Sequence, residues 1–296
     1  MSKSKVLSFN GLMEPLDEVV SNWPDSRTGN NCRYTMRDAG LGAFSVFFMQ
    51  CASFLGFQKL MCDSLRKSNA QTLFGMEAIP CDNWIRTLLD PMPPSSLFGI
   101  FDTVVTQLNR RGQLKPRRVL NGQLLVALDG VEYFHSDSIH CGQCSTRSDQ
   151  HGQIRYSHQV ITPVIVSPGE HTVIALAPEF IRPQDGHTKQ DCETTAAKRW
   201  LQHQGTHYKR LGITILGDDL YCHQPMCEAI LAQGMHFILV YPAPINPSMS
   251  GLRGWNRRPW RYDAGPVALI NSTIIVISMI YRCATVMMHS RSTGVS

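Results

Sequence analysis

The sequence predicts an α/β protein in which a mixed sheet with helical crossovers follows a mostly helical N-terminal region. Three observations lead to this prediction. Residues 1 to 118 carry apolar residues at helical spacing, short apolar runs of strand length begin near residue 123, and helix-like segments separate only the later runs. The resulting order is three strands, then helix, strand, helix and strand, which favours a mixed sheet with crossovers after the third strand.

The N-terminal region is expected to contain helices over about residues 41 to 68 and 97 to 109. Between them, Asp82 fits the N-cap of a short helix whose apolar face carries Ile85 and Leu88. The proline-rich residues 90 to 94 are expected to end that helix, because proline cannot continue a helical hydrogen-bond ladder.

The sheet is expected to begin at an apolar run that ends on an acidic residue, LLVALD. Later runs are rich in β-branched residues or are flanked by turn residues, as strands usually are. The expected elements, in chain order, are strands at 124–129, 156–166 and 172–176, a helix at 188–204, a strand at 213–217, a helix at 224–233 and a strand at 236–241.

The composition predicts a globular protein without membrane spans. Of 296 residues, 43% are hydrophobic and 17% are charged, and the net charge of +5 is compatible with binding a phosphate backbone. The apolar segments 43–57 and 267–281 are shorter than the roughly 18 to 20 residues that a spanning helix needs. The N-terminal residues do not resemble a secretory signal, so we expect a cytoplasmic protein whose ten cysteines are reduced.

Two aspartates each follow an apolar strand: Asp129 in LVALDG and Asp218 in TILGDDLY. An aspartate at a strand end is also a common turn former. In a mixed sheet, however, neighbouring strand ends place such carboxylates side by side, and a bound divalent cation removes the cost of their repulsion. The pair therefore predicts a Mg²⁺ (or Mn²⁺) site that activates a water or a 3′-hydroxyl in phosphoryl transfer.

The stretches LVALDGVEYF, CxxCSTR, IRPQDGHTKQDCE, AAKRWL and LGDDLYCHQPMCEAIL resemble the insertion-sequence transposases of the IS-four group, which carry two catalytic aspartates and a glutamate. The resemblance covers about residues 25 to 241. It implies an RNase H-like catalytic domain behind a helical N-terminal domain. Asp129 would be the first catalytic aspartate and Asp218 the second, with Tyr221 as the aromatic residue that follows it. An offset of one residue would select Asp219 instead.

The resemblance also implies a domain organisation and partners. Residues 1–118 would be a helical DNA-binding and assembly domain with a basic linker, and residues 119–244 an incomplete catalytic core. Residues 245–296 would be a tail foreign to the family. The expected partner is double-stranded DNA at the ends of a mobile element, bound in the prokaryotic cytoplasm by a protein that forms a homodimer.

The third carboxylate of that family has no counterpart at the expected place. The last glutamate is Glu228, within an earlier helix, and Asp263 is the one acidic residue after position 241. Read one base out of frame, the codons for Met287 and Met288 and for the last residues encode acidic and aromatic residues like those of the family. We therefore expect a frameshift between about residues 241 and 278, with an out-of-frame tail and a missing metal ligand.

A group of cysteines and histidines suggests a second metal site. Cys141 and Cys144 form a C-x2-C pair, and His151 and His158 follow. These residue types suit a tetrahedral structural Zn²⁺ site between the first two strands. The spacing of the histidines is unusual, which favours the alternative of reduced cysteines in a polar hairpin loop.

The densest positive cluster lies in residues 109–118. It is either a solvated linker or a contact to the DNA backbone. The candidate DNA-binding residues are Arg110, Arg111, Lys115, Arg117 and Arg118.

Three functions remain open from the sequence. The first is a transposase that binds element ends and performs Mg²⁺-dependent strand cleavage and transfer, inactive here without its third carboxylate. The second is a non-catalytic DNA-binding remnant of such an enzyme. The third is a generic RNase H-like nuclease, which the helical N-terminal region disfavours. Motifs for nucleotide binding, serine hydrolases and zinc proteases (GxxxxGK[ST], GxGxxG, GxSxG, HExxH) do not occur.

Overall fold

The computed structural model describes residues 8–28, 32–51, 53–63, 69–76, 79–183 and 191–240. The predicted out-of-frame tail, its apolar segment 267–281 and Asp263 lie outside these residues. So does the expected start of the helix at 188–204.

The N-terminal region is helical, as predicted. Its helices, in chain order, are α1 (Phe9–Ser21), α2 (Met36–Phe48), α3 (Phe54–Asp63), α4 (Asn69–Thr72), α5 (Asp82–Leu89) and α6 (Phe98–Arg110). A capping box formed by Thr35 and Asp38 starts α2, because each side chain accepts the other residue's backbone N–H. None of the helices within the described ranges is long and apolar enough to cross a bilayer.

Two local expectations in this region are wrong. The helix expected at 41–68 is split between α2 and α3, with Gln50 in the left-handed region (φ 54°) at the break. Asp82 is not an N-cap: it is the first residue of α5, and Cys81 precedes it without a side-chain capping bond. The end of α5 at Leu89, directly before the proline-rich segment, is as expected.

The rest of the chain contains nine strands and two long helices within the described residues. The strands are β1 (Leu124–Ala127), β2 (Gly130–Ser136), β3 (Ser145–Ser148), β4 (Ile154–Ile161), β5 (Val164–Val166), β6 (Ile174–Ala175), β7 (Glu179–Ile181), β8 (Ile213–Gly217) and β9 (His236–Leu239), and the helices are α7 (Glu193–Tyr208) and α8 (Gln224–Ala232).

The main sheet has the strand order β6-β5-β1-β8-β9. Strand β5 runs antiparallel to β1 and β6, whereas β1, β8 and β9 are parallel. Parallel neighbours need a crossover, and α7 and α8 provide the connections that precede and follow β8. The predicted fold class is therefore confirmed as an α/β protein: a mixed sheet with helical crossovers after its third strand in the chain follows a helical region.

A second, smaller sheet lies between the first two strands of the main sheet along the chain. It has the order β2-β4-β3, and β7 pairs with the other end of β4. The sequence did not indicate this sheet, and residues 156–166 were expected to form one strand. Instead the strand is divided at Thr162 and Pro163, because proline has no N–H for the ladder and the Thr162 N–H donates to the Asp129 carbonyl at 3.0 Å.

One apolar core joins the sheet to its helices. It contains Leu124 and Val126 of β1, and Trp200 of α7, whose indole N–H donates to the Ala177 carbonyl at 2.7 Å. Trp200 is completely buried. Val105 of α6 lies in the same core, so the last N-terminal helix packs against the sheet.

Candidate functional site

The sheet brings Asp129 and Asp218 to the same edge. Strands β1 and β8 are parallel, with Ala127 opposite Leu216, and each aspartate follows two residues later. The Leu128 N–H still donates to the Leu216 carbonyl at 2.9 Å, so the pairing continues up to the aspartates. Neighbouring strands are about 4.8 Å apart. Asp129 and Asp218 therefore lie side by side at the ends of two paired strands.

The carboxylates of Asp129 and Asp218 repel each other when both are charged. Both aspartates are exposed residues at the sheet edge. Partial burial raises the pKa of Asp129, the Gly130 N–H lowers it, and the negative charge of Asp218 raises it; the net pKa is raised. One carboxylate oxygen of Asp218 accepts the Leu220 N–H at 3.1 Å and caps the turn that follows. A cation between the carboxylates would relieve their repulsion.

A third acidic residue, Glu193, lies beside the pair. It is the first residue of α7, and its Oε1 atom accepts both the Gly130 N–H at 3.1 Å and the Tyr221 hydroxyl at 2.5 Å. Gly130 directly follows Asp129, and Tyr221 ends the short turn that begins at Asp218. One carboxylate oxygen therefore connects the two backbone segments that carry the aspartates.

Glycine at position 130 makes this contact possible. A Cβ atom there would lie 2.4 Å from the Cδ and Oε2 atoms of Glu193, far inside van der Waals contact. Tyr221 is only 1% exposed, and its pKa is raised by burial first and then by the hydrogen bond to Glu193. The phenol thus remains the donor and Glu193 the acceptor.

The sequence did not single out Glu193, because a glutamate in the first turn of a helix is already explained by the helix dipole. The glycine after Asp129 was the available signal, since a missing side chain next to the candidate aspartate leaves space for another group. Within the described ranges, the one group of three potential ligands with donor atoms within 4.8 Å is the cysteine–histidine cluster. Glu193 therefore lies beside the aspartates without converging with them on one point.

The cysteine–histidine cluster consists of Cys141, Cys144 and His158. The cysteines lie in the loop between β2 and β3, and His158 lies in β4. His151 lies outside this cluster, although the sequence grouped it with the others. It is exposed in the turn between β3 and β4. Cys144 lies at the other end of β3, a strand of 4 residues that spans roughly 13 Å.

Two arginines of the basic segment bind main-chain oxygens of the sheet region. The Arg117 guanidinium donates to the Thr172 carbonyl at 2.7 Å and to its hydroxyl at 2.5 Å. Arg118 donates to the carbonyls of Gly122 and Leu211 at 2.8 and 2.7 Å. These two residues anchor the segment to the sheet region.

Two of the other basic residues of the segment, Arg110 and Lys115, are more exposed than Arg117 and Arg118. Arg110 and Lys115 are exposed, and Arg111 is partly exposed. Leu114, between them, is fully buried in the core of the sheet. The segment is thus held against the sheet, and it presents its first three positive charges outward.

No protein-family profile and no curated protein matches the chain. A solved structure, the cryo-EM structure of a piggyBac transposase synaptic complex with hairpin DNA, aligns with 11% sequence identity and a TM-score of 0.37. The alignment covers 85% of this chain and 52% of the transposase chain, so this protein spans about half the length of that one. A likeness at this TM-score carries no argument about function, which must come from the residues themselves.

Proposed function

We propose that this protein is of the transposase type and binds double-stranded DNA next to a divalent cation held by Asp129 and Asp218. The observation that carries the proposal is the register of β1 and β8, which places the two aspartates side by side at one sheet edge. The motifs around them support assignment to the insertion-sequence group, with element-end DNA as substrate, a homodimer as the working form and the prokaryotic cytoplasm as its location.

The donor chemistry fits the cation. Carboxylate oxygens are the ligands that Mg²⁺ and Mn²⁺ prefer, and the raised pKa of Asp129 reflects in part the neighbouring charge that a cation would neutralise. When bound, the cation supplies a polarised water or 3′-hydroxyl and stabilises the leaving oxygen of a phosphodiester. The paired strands hold the two carboxylates at the sheet edge. The two hydrogen bonds that Glu193 accepts keep their backbone segments together.

Two ligands are fewer than strand transfer in this class of enzyme requires. Oε1 of Glu193 already accepts two hydrogen bonds, which suits a positioning residue better than a third ligand. We infer that the described residues bind a cation but do not complete the catalytic set. The candidate site therefore favours a non-catalytic, DNA-binding remnant of a transposase.

The DNA contact is assigned to the outward-facing part of the basic segment. Arg110, Arg111 and Lys115 are at least partly exposed. Arg117 and Arg118 already bind main-chain oxygens, and their contribution would be to hold the segment in place. Exposed cations on a fixed segment are suited to a phosphate backbone.

The test is a calorimetric titration of the purified chain with Mn²⁺, with Asp129→Asn, Asp218→Asn and Asp219→Asn as variants. Asp219 is the matched control, because it is adjacent and exposed but one residue out of register with Asp129. Binding that is lost in the first two variants and kept in the third supports the site. No binding by folded wild-type protein, or loss only in Asp219→Asn, would refute it.

DNA assays separate the three functions. A remnant shifts duplex DNA in a gel without nicking it, and the shift survives Asp129→Asn. A complete transposase nicks element-end DNA with Mn²⁺ and loses this activity in Asp129→Asn. A generic nuclease cuts DNA of any sequence. Absence of any DNA binding at low salt would contradict the proposal, since the phosphate contribution is strongest there.

A further inference from the structure

We propose that Cys141, Cys144 and His158 bind a Zn²⁺ ion that fixes the small sheet inserted after Asp129. The proposal is independent of the DNA chemistry proposed for the aspartates. It begins from three donor atoms that meet at one place. The two Sγ atoms are 3.8 Å apart, and they lie 3.4 Å (Cys141) and 3.3 Å (Cys144) from the Nε2 atom of His158.

These separations are those of ligands around one tetrahedral zinc ion. With Zn–S near 2.3 Å and Zn–N near 2.0 to 2.1 Å, tetrahedral angles place two sulfurs about 3.8 Å apart and a sulfur and a nitrogen about 3.5 Å apart. A disulfide would require an S–S distance of about 2.05 Å. The cysteines are free thiols at the spacing of two metal ligands.

Hydrogen bonding alone does not explain why both sulfurs approach the same nitrogen. Nε2 of a neutral imidazole has one lone pair, so it can accept one S–H donor and no more. If Nε2 were protonated, it would have one proton to donate to two sulfurs. Three electron-rich atoms that share one centre are better explained by a soft cation, and two thiolates with an imidazole select zinc.

The surrounding backbone is arranged to hold the sulfurs. The Cys141 N–H donates to Sγ of Cys144, and the Gln143 N–H donates to Sγ of Cys141, both at 3.3 Å. Such bonds stabilise thiolates. The imidazole of His158 is stacked against Tyr133 (ring centroids 5.8 Å apart, 9° between planes) and is also packed against Phe134. The ring orientation is therefore fixed before a metal arrives.

The burial of the cluster defines the remaining coordination position. Cys144 and His158 are 6% and 3% exposed, whereas Cys141 is partly exposed. Solvent thus reaches the cluster from the side of Cys141, and a water is assigned to the fourth position. The ion would tie the loop after β2 to β4, and β2 begins at Gly130, directly after the candidate catalytic Asp129.

The experiment measures zinc in the full-length protein purified from zinc-supplemented cells. We expect about one zinc per chain in wild type, near none in Cys144→Ser and His158→Ala, and an unchanged content in His151→Ala. His151 is the matched control, because it is an exposed histidine of the same hairpin, outside the cluster. Circular dichroism establishes that each variant is folded.

Should the variants unfold, cobalt substitution of wild type decides the question. Chelator-treated protein that takes up Co²⁺ should show thiolate-to-metal charge transfer and the intense visible bands of tetrahedral coordination, and returning Zn²⁺ should raise its Tm. Folded wild type without these bands and without zinc would overturn the proposal. So would zinc retained in both ligand variants, or a Cys141–Cys144 disulfide in the native protein.

Discussion

The Tyr221 hydroxyl donates to Oε1 of Glu193 at 2.5 Å, although 28 residues and two elements separate them in the chain. Since the same oxygen also accepts the Gly130 N–H, the start of α7, the start of β2 directly after Asp129 and the turn after β8 meet at one atom. The two strand ends that carry Asp129 and Asp218 are thereby fixed through a third element. The arrangement of the candidate site depends on this contact as well as on the sheet.

Removing the phenol should therefore weaken both the fold and the site. Tyr221→Phe loses a buried hydrogen bond to a carboxylate, and we expect the free energy of unfolding to fall by about 1.5 to 3 kcal/mol. Urea denaturation measures this change, and Mn²⁺ titration should show weaker binding. Tyr156→Phe, in the second sheet, is the control. Equal losses of unfolding free energy in the two variants would contradict the prediction, because the hydrogen bond to Glu193 would then contribute no more than an ordinary tyrosine hydroxyl.

Glycine 130 offers a steric test of the same contact. Gly130→Ala places a methyl group 2.4 Å from the Glu193 carboxylate, so either the strand end or the glutamate must move. Overpacking of this kind costs about 1 to 3 kcal/mol.

The control is Gly99→Ala, near the start of α6, where an added Cβ meets nothing within 4 Å. That change should be neutral or stabilise the protein by up to about 1 kcal/mol, because alanine is the better helix former. Denaturation midpoints that move in the same direction for both variants would contradict the predicted clash.

Neutralising Asp129 should stabilise the metal-free protein. Its pKa is raised above the ordinary 3.8 in the folded state, so the folded state holds its proton to higher pH than the unfolded state does. Stability is therefore lost as pH rises through the window between the ordinary and the raised pKa, and the cost persists above it.

Asp129→Asn should accordingly have a higher Tm than wild type at neutral pH in EDTA. The difference should shrink as pH falls through that window, and it should also shrink when Mn²⁺ is added, since the cation stabilises wild type alone. Thermal melts across pH, with and without Mn²⁺, measure both trends. A variant less stable than wild type in EDTA would show that Asp129 makes a favourable contact in the fold.

The order of the main sheet's strands and helices along the chain could be predicted because each strand lies in a short apolar run, and the acidic residues after two of those runs indicated the candidate site. The second sheet could not. Strand β2 alternates weakly, with a burial pattern of partly exposed and exposed residues, and β3 is the polar STRS. Such strands are specified by pairing with β4, a long-range contact that hydrophobic period alone does not reveal.

The role of Asp191 was also beyond the sequence. An aspartate just before a helix is already explained by the helix dipole, but Asp191 is buried and its carboxylate accepts from the Arg182 and Cys192 N–H groups and from the Arg199 guanidinium. A side chain eight residues later in the chain decides its environment. Pattern reasoning placed the residue at the helix start and could not identify that partner.

The outward-facing cations should control DNA affinity, whereas the anchored ones should control stability. Replacing Lys115 or Arg110 by Gln should lower the salt dependence of DNA binding by about one counterion each, uniformly across sequences. Arg117→Gln should instead lower Tm, because it removes two bonds to Thr172. Fluorescence anisotropy across salt concentrations, paired with thermal melts, separates the two effects. A salt slope unchanged by either of the first two variants would exclude this segment as the DNA contact.

The ion pair between Asp191 and Arg199 should be far more important than an exposed pair. The Asp191 side chain is 1% exposed, and its Oδ2 lies 2.9 Å from Nη2 of Arg199, which also donates to the Phe180 carbonyl at 2.9 Å. Asp191→Ala should cost about 1.5 to 3 kcal/mol of unfolding free energy, because it removes the hydrogen bonds that a buried carboxylate accepts. Asp25→Ala, which breaks the more exposed pair with Arg27, should cost less than about 1 kcal/mol.

Because Asp191 also accepts the Arg182 and Cys192 N–H groups just before α7, its loss should loosen the helix start that holds Glu193, and Mn²⁺ affinity should fall along with stability. Stability that falls while Mn²⁺ binding is unchanged would separate the helix start from the cation site.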